Sequence, residues 1–225
     1  MKYCRFEFNG QSHYGLVEAV AGVEQITRLL LKPPEEADGD IEDLPSKRMD
    51  QIGLAEATLL APGGEIRRPK LSQRVDFEGE LAVVIGKKIY QVRADEDVRP
   101  YILGYTCLND VTARDLQNKD GQWTRAKGFD TFCPVGPLVT DEINPWTGVG
   151  VETRVNGDVR QQGNTRDFIF SLGVIIRYIS QAMTISPGDV IATGTPKGVG
   201  PVVAGDVIEI SVEGVGTLRN AVVDE

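Results

Sequence analysis

The chain of 225 residues is poor in the side chains that bind soft metals or close disulfides: it has one histidine, His13, and three cysteines. Cys4, Cys107 and Cys133 are odd in number and widely scattered, which suggests neither a disulfide framework nor a thiolate metal site, and reduced, structural thiols are expected. Basic excess is also missing. A formal net charge of -9 argues against nucleic acid or an anionic membrane as the main partner. No apolar run is long enough to cross a bilayer, and the opening residues lack the apolar core of a signal peptide, so a soluble, cytoplasmic protein is expected. Internal repeats and low-complexity segments are absent as well.

What is present reads mainly as β structure. Cys4, Phe6 and Phe8 alternate with polar residues, Asn9-Gly10 supplies a turn, and Ser12 to Val17 returns, which predicts a hairpin in a small N-terminal β unit. Across residues 33–47, Pro33, Pro34 and Pro45 frame six acids, the signature of an exposed connector. The expected division is a small β domain with this acidic connector over residues 1–62 and a larger domain over 63–225. Beyond Lys70, strand signals alternate with turn signals: Val151 to Val155 before Asn156-Gly157, Ser186-Pro187-Gly188-Asp189, and Ala204-Gly205-Asp206. One long helix is expected after a cap at Asn164 or Thr165, because Phe168, Ile169, Leu172, Ile175, Ile176, Ile179 and Met183 recur at helical spacing.

Four polar clusters stand out against this framework. In the first, Glu78 and Glu80 flank Gly79 at the start of the apolar run Leu81-Ala82-Val83-Val84-Ile85. Alternation along a strand puts both carboxylates on one side, where they form a solvated strand end or grip one cation. Such a run is buried on both faces, and carboxylates at its lip are costly to ionise unless a positive charge neutralises them. The second cluster ends a strand-like run at Asn109-Asp110 and continues into a short helix that sets Arg114 and Gln117 on one side. By itself Asp110 is a turn or cap residue. The third, Arg125 to Phe132, contains Lys127, either an exposed loop lysine or a counter-charge for the acids. The fourth runs Thr193-Gly194-Thr195-Pro196-Lys197-Gly198 and lacks phosphate-loop spacing, so nucleotide binding is not expected; its amides and the Thr195 hydroxyl suit a bound carboxylate better.

In this order, Asp76-Phe77-Glu78-Gly79-Glu80-Leu81, Gly104-Tyr105 to Asp115, Lys127-Gly128-Phe129-Asp130, Asn164-Thr165 and Pro187 to Pro196 resemble the fumarylacetoacetate hydrolase family. The resemblance covers nearly everything from Arg68 onward. It implies a mainly β (α+β) fold, a mixed β-roll or sandwich, as a homodimer that binds Mg²⁺ or Mn²⁺, with Ca²⁺ as a further possibility. By position, Glu78, Glu80 and Asp110 match the family's metal ligands. Arg114, Gln117, Lys127 and Thr195 match substrate-binding or supporting positions, with Lys127 and Arg114 as the candidate catalytic residues. The chemistry agrees, since three carboxylates are hard oxygen donors suited to Mg²⁺, Mn²⁺ or Ca²⁺ and not to structural zinc. A small-molecule 2-oxo acid or 1,3-dicarbonyl is the implied substrate, with the metal stabilising an enolate. Lys127 would hold a second oxygen, Arg114 a remote carboxylate, and Thr195 would fix orientation.

One departure concerns the reaction. Relatives carry a mobile lid with a histidine and a glutamate that activate water, whereas here Leu59-Leu60-Ala61-Pro62 leads directly to Gly63-Gly64-Glu65. With the other motifs intact, the expectation is a lid of roughly thirty or more residues between Pro62 and Gly63 that the sequence does not show, revealed by a separation wider than the ~3.8 Å of adjacent Cα atoms. Without a lid, hydrolysis loses its base and decarboxylation of an oxaloacetate-type 2-oxo diacid gains weight. Three functions follow: hydrolysis of acylpyruvate-like carbon–carbon bonds or isomerisation of 2-hydroxydienoates in aromatic catabolism; 2-oxo acid decarboxylation; or a catalytically silent protein that binds metal and carboxylate.

Overall fold

The computed structural model describes residues 58–225 with their side chains and, before them, the backbone of four strands: β1 (Lys2–Phe8), β2 (Gln11–Val20), β3 (Val23–Leu30) and β4 (Ser46–Gly53). The side chain of His13, the Asn9-Gly10 turn and residues 33–45 of the acidic connector lie outside the described residues. The chain divides into two compact units, Met1–Ala57 and Thr58–Glu225. In the first, β1 to β4 form an antiparallel sheet in sequence order, and β1 pairs β2 from Lys2 with Val17 to Phe8 with Gln11, the expected hairpin. The sequence placed the division at 62/63. Leu59 and Leu60 fall in the second unit because they pair with Cys133 and Pro134, and Leu60 joins the core there.

The second unit is mainly β with mixed sheets. One five-stranded sheet runs β14 (Val190–Ala192), β8 (Gly79–Ile85), β9 (Ile102–Asn109), β11 (Cys133–Thr140), β5 (Leu59–Leu60). The other runs β13 (Asp158–Asn164), β12 (Gly150–Val155), β16 (Val207–Val212), β17 (Gly216–Asp224), β6 (Glu65–Arg68). The pairs β5–β11 and β6–β17 are parallel and the others antiparallel. A three-stranded sheet links β10 (Thr112–Ala113), β7 (Val75–Phe77) and β15 (Gly200–Pro201).

Period-two patterning explains the packing. Val151, Thr153 and Val155 of β12 and Ile208, Ile210 and Val212 of β16 point inward while their neighbours are partly exposed. Strand β8 is buried at all seven positions, as its unbroken apolar run predicts. The two large sheets meet at Gly79, where an added Cβ would lie 1.9 Å from Thr153 Oγ1 and 3.3 Å from Ile210 Cγ1. Only a residue without a side chain lets β8 approach β12 and β16 this closely.

Two expectations are corrected. Residues Ala61 to Gly64 form a closed turn: Gly64 N–H donates to Ala61 O at 3.1 Å, and Gly63 has φ +80 after Pro62, the backbone of a type II turn. Asn220 Nδ2 clamps it by donating to Ala61 O and Gly64 O, each at 3.0 Å. The wide separation expected here is not found, and no lid is inserted between Pro62 and Gly63. The helix also starts later than its apolar spacing suggests. Asn164 caps only a 3₁₀ turn over Thr165–Asp167, Phe168 is extended, and α3 (Leu172–Ala182) begins after Ser171, whose hydroxyl accepts from Val174 N–H. The cap residues chose the boundary: Leu172, Ile175, Ile176 and Ile179 keep the core face of the helix, Phe168 packs against the core from outside it, and Ile169 is 92% exposed.

The short helices α1 (Arg114–Asp120) and α2 (Thr124–Lys127) follow β10. Among the described residues no helix is long and apolar enough to cross a membrane. Because Ile176 is fully buried, Ile176→Ala is expected to cost about 2–5 kcal/mol. Ile169→Ser should cost less than about 0.5 kcal/mol, both measured from urea unfolding midpoints.

Candidate metal centre

Glu78 sits where the chain leaves the small sheet after β7 and enters the large sheet at β8. Its backbone is fixed on both sides: Glu78 N–H donates to Asn109 Oδ1 at 2.9 Å, and Glu78 O accepts from Asp110 N–H at 2.9 Å. This exchange joins the end of β9 to the start of β8, so that Asp110, one residue beyond β9, faces Glu78 and Glu80. The three carboxylates each offer an oxygen within 4.8 Å of the others. The fourth cluster closes the opposite edge of β8. Thr193 Oγ1 donates to Leu81 O at 2.7 Å and Thr195 Oγ1 to Gly79 O at 3.0 Å, so hydroxyls continue the strand pairing where the backbone of β14 ends. Between them Gly194 N–H donates to Glu80 Oε2 at 2.7 Å.

Cations cover part of this charge. Lys127 Nζ bridges Asp110 and Glu78, with Glu78 Oε2 at 3.1 Å, and also donates to Thr112 Oγ1 at 3.1 Å. Arg114 reaches Glu78 Oε1 with Nη2 at 2.5 Å, Gln117 Oε1 with Nη1 at 2.7 Å and Asp76 Oδ2 with Nε at 3.0 Å. Burial lowers the affinity of Lys127 for its proton, but its bonds to Asp110 and the charges of Asp110 and Glu78 outweigh this and raise its pKa. The Lys127 ammonium is thus a resident cation between two of the three carboxylates. Glu80 has no such partner. It is 2% exposed, and among the described residues no cation pairs with it. Burial, with the nearby charges of Asp110 and Glu78, pushes its carboxyl up to about 8 against the pull of the Gly194 bond. Burial likewise raises Asp110, against the pull of Lys127.

An excess carboxylate held in a buried oxygen-lined cluster, with a protein ammonium already bridging the other two, fits a divalent cation by charge and by donor type. The donor set accepts Mg²⁺, Mn²⁺ or Ca²⁺ and gives no soft ligand; Cys133, whose thiol is raised to about 12 by burial and the charges of Asp110 and Glu80, stays protonated.

All seven residues marked out in the sequence fall in or against this cluster. Glu78, Glu80, Asp110 and Lys127 are in direct contact or facing one another, Arg114 at the start of α1 bonds Glu78 with Gln117 as a further acceptor, and Thr195 bonds Gly79 O from its loop. The Thr195 hydroxyl donates to Gly79 O and accepts from Gln161 Nε2 at 2.7 Å, so here it ties the loop to the strand. Three supporting residues were not singled out. Asp76 shares the two-residue alternation of Glu78 and Glu80, a signal that could have found it. Asn109 and Gln161 carry no such signal, since their roles as clamps on Glu78 N–H and Gly79 N–H arise between strands distant in sequence.

A cavity of about 500 Å³ is walled by Leu81, Phe168, Ile169 and Ile175 and shares Gly194 and Thr195 with the loop that contacts Glu80 and Gly79.

Comparison with known proteins locates this arrangement. A family described as "Fumarylacetoacetate (FAA) hydrolase C-terminal" matches residues 31–223. An uncharacterized protein of Methanocaldococcus jannaschii is 56% identical over 160 residues, 71% of this chain and 67% of its own length. The mitochondrial oxaloacetate tautomerase fahd2 of Xenopus laevis is 44% identical over 178 residues, 74% of this chain; the chain spans only 56% of that relative's length. A crystal structure of 2-hydroxyhepta-2,4-diene-1,7-dioate isomerase from Mycobacterium marinum aligns with a TM-score of 0.72 at 37% identity, over 100% of this chain and 99% of that one.

Two outcomes test the geometry. Gly79→Ala is expected to force β8 away from Thr153, costing roughly 1–3 kcal/mol and displacing Glu78 and Glu80. Calorimetric Mn²⁺ titration should then show weakened binding, and Thr153→Ala in the same chain should restore part of it. Because the Glu80 carboxyl is raised, the folded metal-free protein holds a proton that the unfolded chain releases near pH 4.5. Its stability is therefore full below that value and falls as pH rises through about 8. Melting scans should show a metal-free protein less stable in mild alkali than in mild acid, a Glu80→Gln variant with a flatter profile, and Mg²⁺ or Mn²⁺ stabilising most at the alkaline end.

Proposed function

The chain belongs to the fumarylacetoacetate hydrolase family, and from that membership we propose that it is a divalent-metal-dependent enzyme that enolises 2-oxo acids, its reaction being keto–enol tautomerisation of an oxaloacetate-type 2-oxo diacid. The observation that carries this reading is the carboxylate cluster with Lys127 and Arg114 held against it. A proton shift needs an electron sink beside the carbonyl, whereas hydrolysis also needs a poised water. The relative from Xenopus laevis and the structure from Mycobacterium marinum are both named for isomerising reactions, which supports the same choice.

In this reading Glu78, Glu80 and Asp110 hold Mg²⁺ or Mn²⁺, with Ca²⁺ a weaker fit. When bound, the ion supplies Lewis acidity that lowers the energy of the enolate. The protein's own groups do the rest. Lys127 is kept cationic by Asp110 and Glu78, and a substrate oxygen replaces the neutral Thr112 hydroxyl as its third acceptor. A full positive charge there stabilises negative charge that develops on oxygen during proton transfer. Arg114 has five N–H donors, of which three are engaged, and the remaining ones face a remote carboxylate together with the Gln117 amide. Thr195 and Gly194 hold the loop against β8 and so keep Glu80 in place.

Carbon–carbon hydrolysis, the first expectation from the sequence, and oxaloacetate-type decarboxylation begin from the same enolate and are separated by product. The test is a parallel assay of oxaloacetate, an acylpyruvate and a 2-hydroxydienedioate with Mg²⁺, Mn²⁺ and chelator. Faster decay of the enol absorbance of oxaloacetate without pyruvate release is expected, falling at least about a hundredfold in chelator and in Asp110→Ala. Pyruvate release would support decarboxylation, and acylpyruvate cleavage hydrolysis. Turnover that survives chelation would reject the metal mechanism, and ligand-induced stabilisation without any turnover would mark a silent binding protein.

A further inference from the structure

Asp76 is a carboxylate buried to 0% exposure that offers no atom to the candidate metal cluster, yet two guanidinium groups converge on it. Arg74 grips it bidentately, Nε to Oδ1 at 2.9 Å and Nη2 to Oδ2 at 3.1 Å, and Arg114 Nε reaches the same Oδ2 at 3.0 Å. The pairing continues, for Arg114 Nη2 lies 2.5 Å from Glu78 Oε1 while Lys127 takes Glu78 Oε2. A row of alternating charge therefore runs from Arg74, whose side chain is 53% exposed, through Asp76 and Arg114 to Glu78. Buried ion pairs add little net stability, because desolvation cancels most of the attraction.

We propose that Asp76 is a positioning residue for Glu78, acting through Arg114. Its carboxylate fixes one edge of the guanidinium and draws part of the Arg114 charge away from Glu78. Glu78 is then left oriented by Nη2 but with electron density to share with a divalent ion. Neutralising Asp76 leaves Glu78 as the one carboxylate on Arg114, drawn into a tighter pair and turned into a poorer metal ligand. Arg74 is the outer clamp: its two bonds hold the Asp76 carboxylate in the orientation in which Oδ2 meets Arg114 Nε. The proposal rests on the reading of Glu78 as a metal ligand, and the experiment separates the two.

Mn²⁺ binding to the full chain is measured by calorimetry and by the paramagnetic signal of free Mn²⁺, on the wild type, Asp76→Asn, Asp76→Asn with Arg114→Gln, Arg74→Gln and Glu80→Gln. Asp76→Asn is expected to weaken Mn²⁺ about tenfold or more, the range for residues that support a metal ligand. Adding Arg114→Gln should recover part of the loss, because the unbalanced guanidinium is then gone. Such recovery is something a merely structural role would not produce. Arg74→Gln keeps the buried carboxylate and loosens only its outer clamp, so it should weaken Mn²⁺ about threefold. It carries the test if Asp76→Asn does not fold. Mn²⁺ affinity within about twofold of wild type in the folded Asp76→Asn or Arg74→Gln protein, with Glu80→Gln losing the metal, overturns the proposal and leaves the metal site standing. A wild type that binds no Mn²⁺ overturns both.

Discussion

Three carboxylates with oxygens within 4.8 Å of one another, two of them on residues buried among the strands, can coexist as anions only if positive charge is brought to them, and much of the second unit is arranged to bring it. Lys127 at the end of α2 bridges Glu78 and Asp110, and Arg114 at the start of α1 takes the other oxygen of Glu78. The positions of both short helices follow from this need: each presents one cation to the lip of β8. Among the described residues Glu80 is met by the Gly194 N–H and by no paired cation, and its carboxyl is raised to about 8. A divalent ion would supply the positive charge that keeps this buried carboxyl ionised, which is the physical reason one suits the site.

The scaffold around the cluster is built for close approach. Gly79 lets β8 lie against Thr153 and Ile210, which anchors the two glutamates from behind. Thr193 and Thr195 then replace a missing strand partner with hydroxyl bonds to Leu81 O and Gly79 O, and Gln161 ties Gly79 N–H to Thr195. These bonds fix the backbone on which Glu78 and Glu80 stand, so the ligands depend on rigid strands and not on a loop. Elsewhere in the unit the turn at Ala61 to Gly64, where a lid was expected, is closed by Asn220, which donates to Ala61 O and Gly64 O.

Periodicity in the sequence made much of this legible. The unbroken run after Glu80 announced a strand buried on both faces, the Asn156-Gly157 turn announced the β12–β13 hairpin, and strand alternation put Glu78 and Glu80 on one side. Helical periodicity misled at Phe168 and Ile169, because apolar spacing does not see that Asn164 caps a 3₁₀ turn and that Ser171 caps the helix. Asn109 and Gln161 gave no local signal at all, since each is a polar residue in a strand until a neighbouring strand supplies its partner.

By itself the sequence determined the β framework, the acidic pair on β8 and, through motif order, that Asp110, Arg114, Gln117, Lys127 and Thr195 belong with it. Those features are local, set by side-chain alternation and by short runs of residues. The tertiary structure decided which charges pair: Lys127 with two carboxylates, Arg114 shared between Glu78 and Asp76, and Glu80, among the described residues, with no paired cation. Pairing at that level depends on distances of a few ångströms between residues up to about fifty positions apart. Such distances exist only once β8, β9 and the two short helices have packed, because the strength of a charge pair is fixed by separation and burial, not by order along the chain.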